Sequence, residues 1–137
     1  MAHDQAFTFF FAALGVTVLT LVATLITGFR HMIRAHIASV IAFLVVFLAT
    51  VAAAELLGNH YTFKQPSKAI HLTLAFTTSF GALFPLVTGV LHWRNRDSLQ
   101  RHKLAAFTWV AFVLATLGTG TWMLSVAERT AESLAGR

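Results

Sequence analysis

The sequence has no cysteine, two prolines and only five acidic residues among its 137 residues. Without cysteine, the chain forms no disulfide, no thiolate metal site and no iron–sulfur cluster. Charged residues make up 11% of the chain and hydrophobic residues 57%, and the mean hydropathy of +0.73 excludes an ordinary soluble domain. The net charge of +5 sits mostly in two short loops, so we interpret it as an orientation signal and expect no nucleic-acid partner.

Four long apolar runs predict four transmembrane helices, at about residues 6–29, 37–57, 69–91 and 104–127. Helices are expected because membrane lipid forces each backbone polar group to find its partner within the segment. Short connections make successive helices antiparallel. We therefore expect residues 1–137 to form a single all-α domain, an integral membrane antiparallel four-helix bundle. No heptads, repeats or low-complexity tracts change this picture.

The distribution of basic residues predicts how the bundle lies in the membrane. The face with the first and third loops has one acidic residue, Asp97, against six basic ones: Arg30, Arg34, Arg94, Arg96, Arg101 and Lys103. The other face is balanced, with Lys64, Lys68, Arg129 and Arg137 against Asp4, Glu55, Glu128 and Glu132. Because Lys and Arg in short loops are retained in the cytoplasm, both termini are expected on the outer side.

Histidine is the only soft ligand present in quantity, and four of the seven lie near span ends on the expected cytoplasmic face: His31, His36, His92 and His102. His36 and His102 start the second and fourth spans at matching depth. Two imidazoles that face each other across a bundle can hold a haem iron from both sides. We interpret His31 and His92 as interfacial polar residues.

A second candidate group lies on the outer face, where His71 is just inside the third span and Glu55 is near the end of the second. An ionisable side chain within a span is costly unless it is neutralised or paired, which favours a functional role. The alternative for Glu55 is that its carboxylate simply reaches the interface. An outer metal site would use His71, with Glu55, His60 or His3 as its partner.

The ligand types favour haem b over copper or another metal, since copper handling in an oxidising compartment leans on Cys and Met and the chain has three methionines. An iron held by two histidines has no open position, so such a site would carry electrons, with quinol as the natural membrane donor. No nucleophile triad, phosphate loop or carboxylate pair occurs in the spans. We therefore do not expect the chain to be an enzyme by itself.

Three segments form a sequence of landmarks at helix starts: Ile33-Arg34-Ala35-His36, Ile70-His71-Leu72-Thr73-Leu74-Ala75, and Arg101-His102-Lys103-Leu104-Ala105 followed by Trp109 and Thr119-Gly120. Together they resemble a family of small four-helix bacterial membrane proteins that includes cytochrome c oxidase assembly factors of the CtaM type. The similarity covers about residues 30–125. It implies that His36, His71 and His102 are the functional histidines, and that the protein works in aerobic respiration in the bacterial inner membrane.

Three functions remain open from the sequence. The first is a respiratory-chain protein that acts in assembly or as an accessory of a haem–copper oxidase and uses helix-end histidines to hold haem or a metal. The second is a b-type cytochrome subunit that passes electrons between quinol and a partner complex. The third is a metal-free structural subunit. For all three functions, we expect membrane lipid and subunits of a respiratory complex as partners.

Overall fold

The computed structural model describes residues 3–95 and 98–129, and the chain is all-α apart from two two-residue strands. The helices are α1 (His3–Phe29), α2 (Ile33–Gly58), α3 (Ser67–Gly81), α4 (Leu83–Trp93) and α5 (Leu99–Ser125); the strands are β1 (Tyr61–Thr62) and β2 (Glu128–Arg129). Four residues of the charge count, Arg96, Asp97, Glu132 and Arg137, lie outside the described residues.

Four helical segments are long and apolar enough to cross a membrane, with α3 and α4 together forming the third, Ser67–Trp93. The prediction of an all-α chain with four long apolar helices is confirmed, and these helices fit a multi-pass membrane protein. Each helix begins before the apolar run that predicted it, because hydropathy measures compatibility with lipid, whereas polar residues such as Arg34 and Gln100 also form helical hydrogen bonds.

Pro85 lies one turn after the boundary between α3 and α4. Its missing N–H cannot bond to the carbonyl of Gly81, which is where α3 ends. Ala82 keeps helical dihedral angles, with φ −58° and ψ −24°, and the N–H of Leu86 bonds to the Ala82 carbonyl at 3.3 Å. The third span therefore continues through a local interruption of its hydrogen bonding.

The chain divides into two compact units: the first comprises the residues up to Thr62 together with Arg129, and the second runs from Phe63 to Glu128. In the first unit α1 packs against α2, and in the second α3 and α4 pack against α5. Each unit is thus an antiparallel helical hairpin. Each hairpin loop contains a residue with left-handed φ, His31 at 54° in the first and Asn95 at 55° in the second.

A pair of threonines joins the helices in the middle of each hairpin. The hydroxyl oxygens of Thr17 and Thr50 are 2.7 Å apart, and those of Thr78 and Thr116 are also 2.7 Å apart. Thr50 and Thr116 each donate to a carbonyl of their own helix, so Thr17 and Thr78 donate across the hairpin. Thr17, Thr50 and Thr78 are buried. Each pair therefore fixes the register of its two helices.

These threonines show that the two units repeat one design. Thr17 and Thr78 are 61 positions apart, and Thr50 and Thr116 are 66 apart. The same two offsets relate the buried residues Ala6 to Ser67 and Phe43 to Trp109, and they align Phe-Leu-Ala-Thr at 47–50 with Val-Leu-Ala-Thr at 113–116. Sequence analysis missed this repeat because identities are few and the offsets are unequal, the stretch from glycine to histidine being five residues longer in the second hairpin (89–102) than in the first (28–36).

The second unit has additional contacts that the first lacks. The indole Nε1 of Trp109 donates to the Thr78 carbonyl at 2.8 Å, whereas its counterpart Phe43 has no such donor. Lys64 forms an ion pair with Glu128 at 2.6 Å, and this hydrogen bond lowers the pKa of the Glu128 carboxyl. Both side chains of the ion pair are exposed, so it contributes little to stability.

Replacing Thr78 with Val should destabilise the second hairpin, since it removes the cross-helix donor. We expect the free energy of unfolding in detergent micelles to fall by about 1 kcal/mol. Circular dichroism during denaturant titration measures this change. The matched control is Thr77→Val, because the exposed Thr77 hydroxyl bonds only to the Thr73 carbonyl of its own helix. Equal losses in the two variants would contradict the assignment.

Candidate functional site

His36 lies in the first turn of α2 and packs edge-on against α1 at Gly28. A Cβ added to Gly28 would be 3.1 Å from Cε1 and 3.2 Å from Nδ1 of His36, so a larger residue would require this ring to shift by a few tenths of an ångström. Nδ1 is 3.0 Å from the Thr24 carbonyl oxygen. Because a carbonyl can only accept, Nδ1 carries the proton, and the lone pair of the neutral ring is on Nε2.

His102 has the same arrangement at the matching end of the second hairpin. It lies in the first turn of α5, and a Cβ added to Gly89 of α4 would be 3.1 Å from its Cε1. Nδ1 is 3.3 Å from the Thr88 hydroxyl, which donates its own proton to the Phe84 carbonyl at 2.8 Å. Thr88 therefore accepts from Nδ1, and the neutral ring again has its lone pair on Nε2.

His71 repeats the arrangement at the opposite end of the second hairpin. It lies near the start of α3, and a Cβ added to Gly120 of α5 would be 3.0 Å from its Cε1. Nδ1 is 3.3 Å from the Thr119 hydroxyl, which donates to the Ala115 carbonyl at 3.0 Å. All three histidines predicted as cofactor ligands are thus half-buried and hold the proton of the neutral ring on Nδ1.

We call each such contact a histidine–glycine pair: His36 with Gly28, His102 with Gly89, and His71 with Gly120. The sequence contains the dipeptide Thr-Gly three times, at 27–28, 88–89 and 119–120, and each copy lies opposite one of these histidines. Sequence analysis named Gly120 only as a landmark of the fourth span and missed Gly28 and Gly89. The recurring dipeptide was the signal that could have found them.

The pairs match what a metal-bound histidine requires around it. Such a histidine almost always donates its second ring N–H to a carbonyl, carboxylate or similar acceptor, which fixes the tautomer and the ring orientation. Thr24, Thr88 and Thr119 provide that acceptor here. The arrangement can therefore present an imidazole Nε2 to iron or another metal without further rearrangement of the proton.

The remaining predicted residues are placed differently. Glu55 is exposed in the last turn of α2, and its role as a metal ligand stays a prediction. Among residues 3–95 and 98–129, no three His, Asp or Glu side chains form a group that could hold a metal ion. His31 is exposed in the first loop, and His92 is half-buried at the end of α4.

His3 belongs to a polar cluster at the end of the first unit. Its Nδ1 is 3.0 Å from the Asp4 carboxylate, and its Nε2 is 3.0 Å from the Tyr61 hydroxyl. The ring of His60 meets it edge-on at 5.6 Å between ring centroids. Both nitrogens of His3 are thus engaged, and the contact with Tyr61 ties the start of α1 to the segment after α2.

Comparison of the chain with protein-family models, with curated proteins and with solved structures finds no match. The resemblance seen in the helix-start segments therefore stays a prediction. The argument for function rests on the three histidine–glycine pairs and on the apolar helices that carry them.

Alanine at Gly28 or Gly89 should push the opposing imidazole back by a few tenths of an ångström and weaken its Nδ1 hydrogen bond. In the unaltered protein, we expect ¹⁵N NMR of labelled histidine at neutral to alkaline pH to show the proton on Nδ1 of His36 and His102. In Gly28→Ala and Gly89→Ala, the signal of the affected ring should change.

Gly118→Ala is the control for these variants, because a Cβ added there meets nothing within 4 Å. It should leave all histidine signals unchanged. A proton found on Nε2 of His36 in the unaltered protein would refute the assigned tautomer.

Proposed function

We propose that the chain is a haem-binding protein of the bacterial inner membrane, in which His36 and His102 are the two axial ligands of haem b. We further propose that it serves as an assembly, maturation or accessory factor of a haem–copper oxidase. The observation that supports the cofactor is the equivalence of the two histidines: they occupy the same repeat position, pair with equivalent glycines and share one tautomer.

Haem iron needs the lone pair of an imidazole nitrogen, and the other nitrogen needs a hydrogen-bond acceptor that orients the ring. The Thr24 carbonyl has this role for His36, and the Thr88 hydroxyl has it for His102. Under this proposal His36 and His102 together would hold the iron. Such an iron has no open position, so the haem would be held or would carry an electron.

The helices supply the apolar surroundings that a porphyrin requires. Each span contains an 18-residue stretch of high mean hydropathy, and large apolar side chains are exposed on the helices, including Phe76, Phe80 and Phe84 at 62%, 69% and 71%. Because haem is a flat, largely apolar molecule with two propionates on one edge, helices of this kind would bury its macrocycle favourably. The charges of the loops favour the orientation with both termini outside.

The oxidase setting rests on the resemblance of the segments around His36, His71 and His102 to the family of small respiratory assembly proteins. A second function, a b-type cytochrome subunit between quinol and a partner complex, is favoured by the same pair of oriented imidazoles, since two-histidine haems commonly transfer electrons. The assembly factor and the cytochrome subunit differ in one property: only the haem of a cytochrome subunit needs rapid reduction by quinol.

The purified, detergent-solubilised protein should show oxidised and reduced visible spectra of haem b, and iron analysis should agree with the haem content. His36→Ala and His102→Ala should each abolish the six-coordinate haem signal, because each removes an axial ligand. His31→Ala is the matched control, since His31 is exposed in the adjacent loop; it should keep the spectrum.

Reduction of the bound haem by a short-chain quinol within the time of a mixing experiment would favour the cytochrome subunit. Slow reduction, together with loss of oxidase haem in a host strain without the protein, would favour the assembly role. A protein isolated with its partners but without haem or metal would overturn both and leave a structural subunit.

A further inference from the structure

The third span consists of two helices, α3 and α4, joined by a stretch that lacks helical hydrogen bonds. The last such bond of α3 runs from the N–H of Ala82 to the Thr78 carbonyl at 3.1 Å. Bonds from positions 83–85 back to the carbonyls of 79–81 are absent, and the structure describes every one of these residues. Pro85 has no N–H to donate, and the first N–H groups of α4 have no helical partner. The span therefore bends most easily at this point.

On one side of this stretch, α3 is held firmly against α5. The Thr78 hydroxyl donates to the Thr116 hydroxyl at 2.7 Å, and the Trp109 indole donates to the Thr78 carbonyl at 2.8 Å. Both Thr78 and Trp109 are buried. Near the other end of α3, Nδ1 of His71 lies 3.3 Å from the Thr119 hydroxyl of α5. Buried hydrogen bonds along its length thus fix α3 to its partner helix.

On the other side, α4 is held less firmly. The structure describes α4 throughout, and none of its 11 residues is buried. Phe84 at its start and Trp93 at its end are 71% and 65% exposed. Its polar contact with α5 is the one between Thr88 and His102, at 3.3 Å. Segments with few buried contacts open at low free-energy cost, so α4 can move while α3 and α5 stay packed.

We infer that α4 swings about residues 79–85, which we call the hinge, and thereby opens and closes the contact that orients His102. The structure shows the closed state, in which Gly89 lies against the ring and the Thr88 hydroxyl accepts from Nδ1. Thr88 and Gly89 both lie on α4, whereas His102 lies on α5. When α4 swings outward, the imidazole loses its Thr88 acceptor and is no longer held in one tautomer.

Of the three histidine–glycine pairs, only that of His102 depends on a helix beyond an interruption. His36 and Gly28 lie on α2 and α1, and both of these helices are continuous. His71 lies on α3, before the hinge, and Gly120 lies on α5. The consequence of the motion rests on the proposed function: as one of two haem ligands, His102 would be the one that detaches. A detachable ligand is what a factor that passes its cofactor on requires.

Spin labels can measure the bending directly, because the chain has no cysteine and labelling sites can be introduced at will. Leu72→Cys with Val90→Cys places two labels on exposed positions that are 18 residues apart across the hinge, about 27 Å along a straight helix. The matched control is Leu104→Cys with Trp122→Cys, exposed and also 18 residues apart, on the uninterrupted α5.

Double electron–electron resonance on the protein in lipid nanodiscs should give a distance distribution at least about twofold broader across the hinge than along α5. Equal widths for the two pairs would overturn the inference.

Pro85→Ala should stiffen the hinge, because it supplies an N–H for the Gly81 carbonyl and removes the proline ring. The distribution across the hinge should narrow to the width found on α5. Leu86→Ala is the control, since the N–H of Leu86 already bonds to the Ala82 carbonyl; it should leave the width unchanged. A distribution that stays broad in Pro85→Ala would contradict the assignment of the hinge.

Histidine ¹⁵N NMR tests whether the motion reaches His102. Exchange between the closed and open states should broaden the ring signals of His102 by about twofold relative to those of His71, and Pro85→Ala should remove the difference. Signals of His102 that are as sharp as those of His71 in the unaltered protein would overturn the inference, even if the span bends.

The spin-label and histidine measurements need no haem, so they decide on the hinge independently of the proposed function. With haem bound, Pro85→Ala should slow haem transfer to an apo-globin acceptor by about tenfold, since opening becomes rarer. An unchanged rate would refute the link between the hinge and ligand release and leave haem binding intact. A protein that takes up no haem would overturn the proposed function, whereas the other two measurements would still decide on the hinge.

Discussion

The close approach of an imidazole edge to a glycine on the neighbouring antiparallel helix is the contact on which the organisation of this molecule depends. It requires three conditions: a histidine near a helix start, a glycine at the right height on the partner helix, and an acceptor for Nδ1. Each condition is met three times in the described chain, with Thr24, Thr88 and Thr119 as the nearest acceptors. The same contact therefore packs the imidazole against the partner helix and places its proton on Nδ1.

Threonine has two uses in these hairpins. Most threonine hydroxyls bond back to a carbonyl of their own helix, as Thr73 and Thr77 do, which satisfies a polar group where water is scarce. Thr17 and Thr78 instead donate across to the partner helix and fix its register. Since that register sets which glycine lies opposite each histidine, the buried threonine pairs in the middle of the hairpins support the geometry at their ends.

The four helices could be predicted because a membrane-spanning helix needs a long run of apolar residues, and such runs can be recognised in a single sequence. The positions of His36, His71 and His102 near helix starts could also be predicted, since they follow from the same runs. The glycines opposite them do not follow from the apolar runs, because a contact between helices depends on register, which the threonine pairs set; the recurring Thr-Gly dipeptide is their only trace in the sequence. The repeat is hard to see in the sequence because equivalent positions hold different residues: Pro85 corresponds to Thr24, Trp109 to Phe43, and Phe10 to His71.

Pro85 occupies the repeat position of Thr24, whose carbonyl accepts the proton of His36. In the second hairpin the acceptor is the Thr88 hydroxyl, which is 3.3 Å from Nδ1 of His102, whereas the Thr24 carbonyl is 3.0 Å from Nδ1 of His36. The Thr88 hydroxyl itself donates to the carbonyls of Phe84 and Pro85. A direct carbonyl and a relayed hydroxyl pull on an imidazole proton to different degrees. Under the proposed function, the two imidazoles would thus be metal ligands of unequal donor strength, although their sequence positions are equivalent.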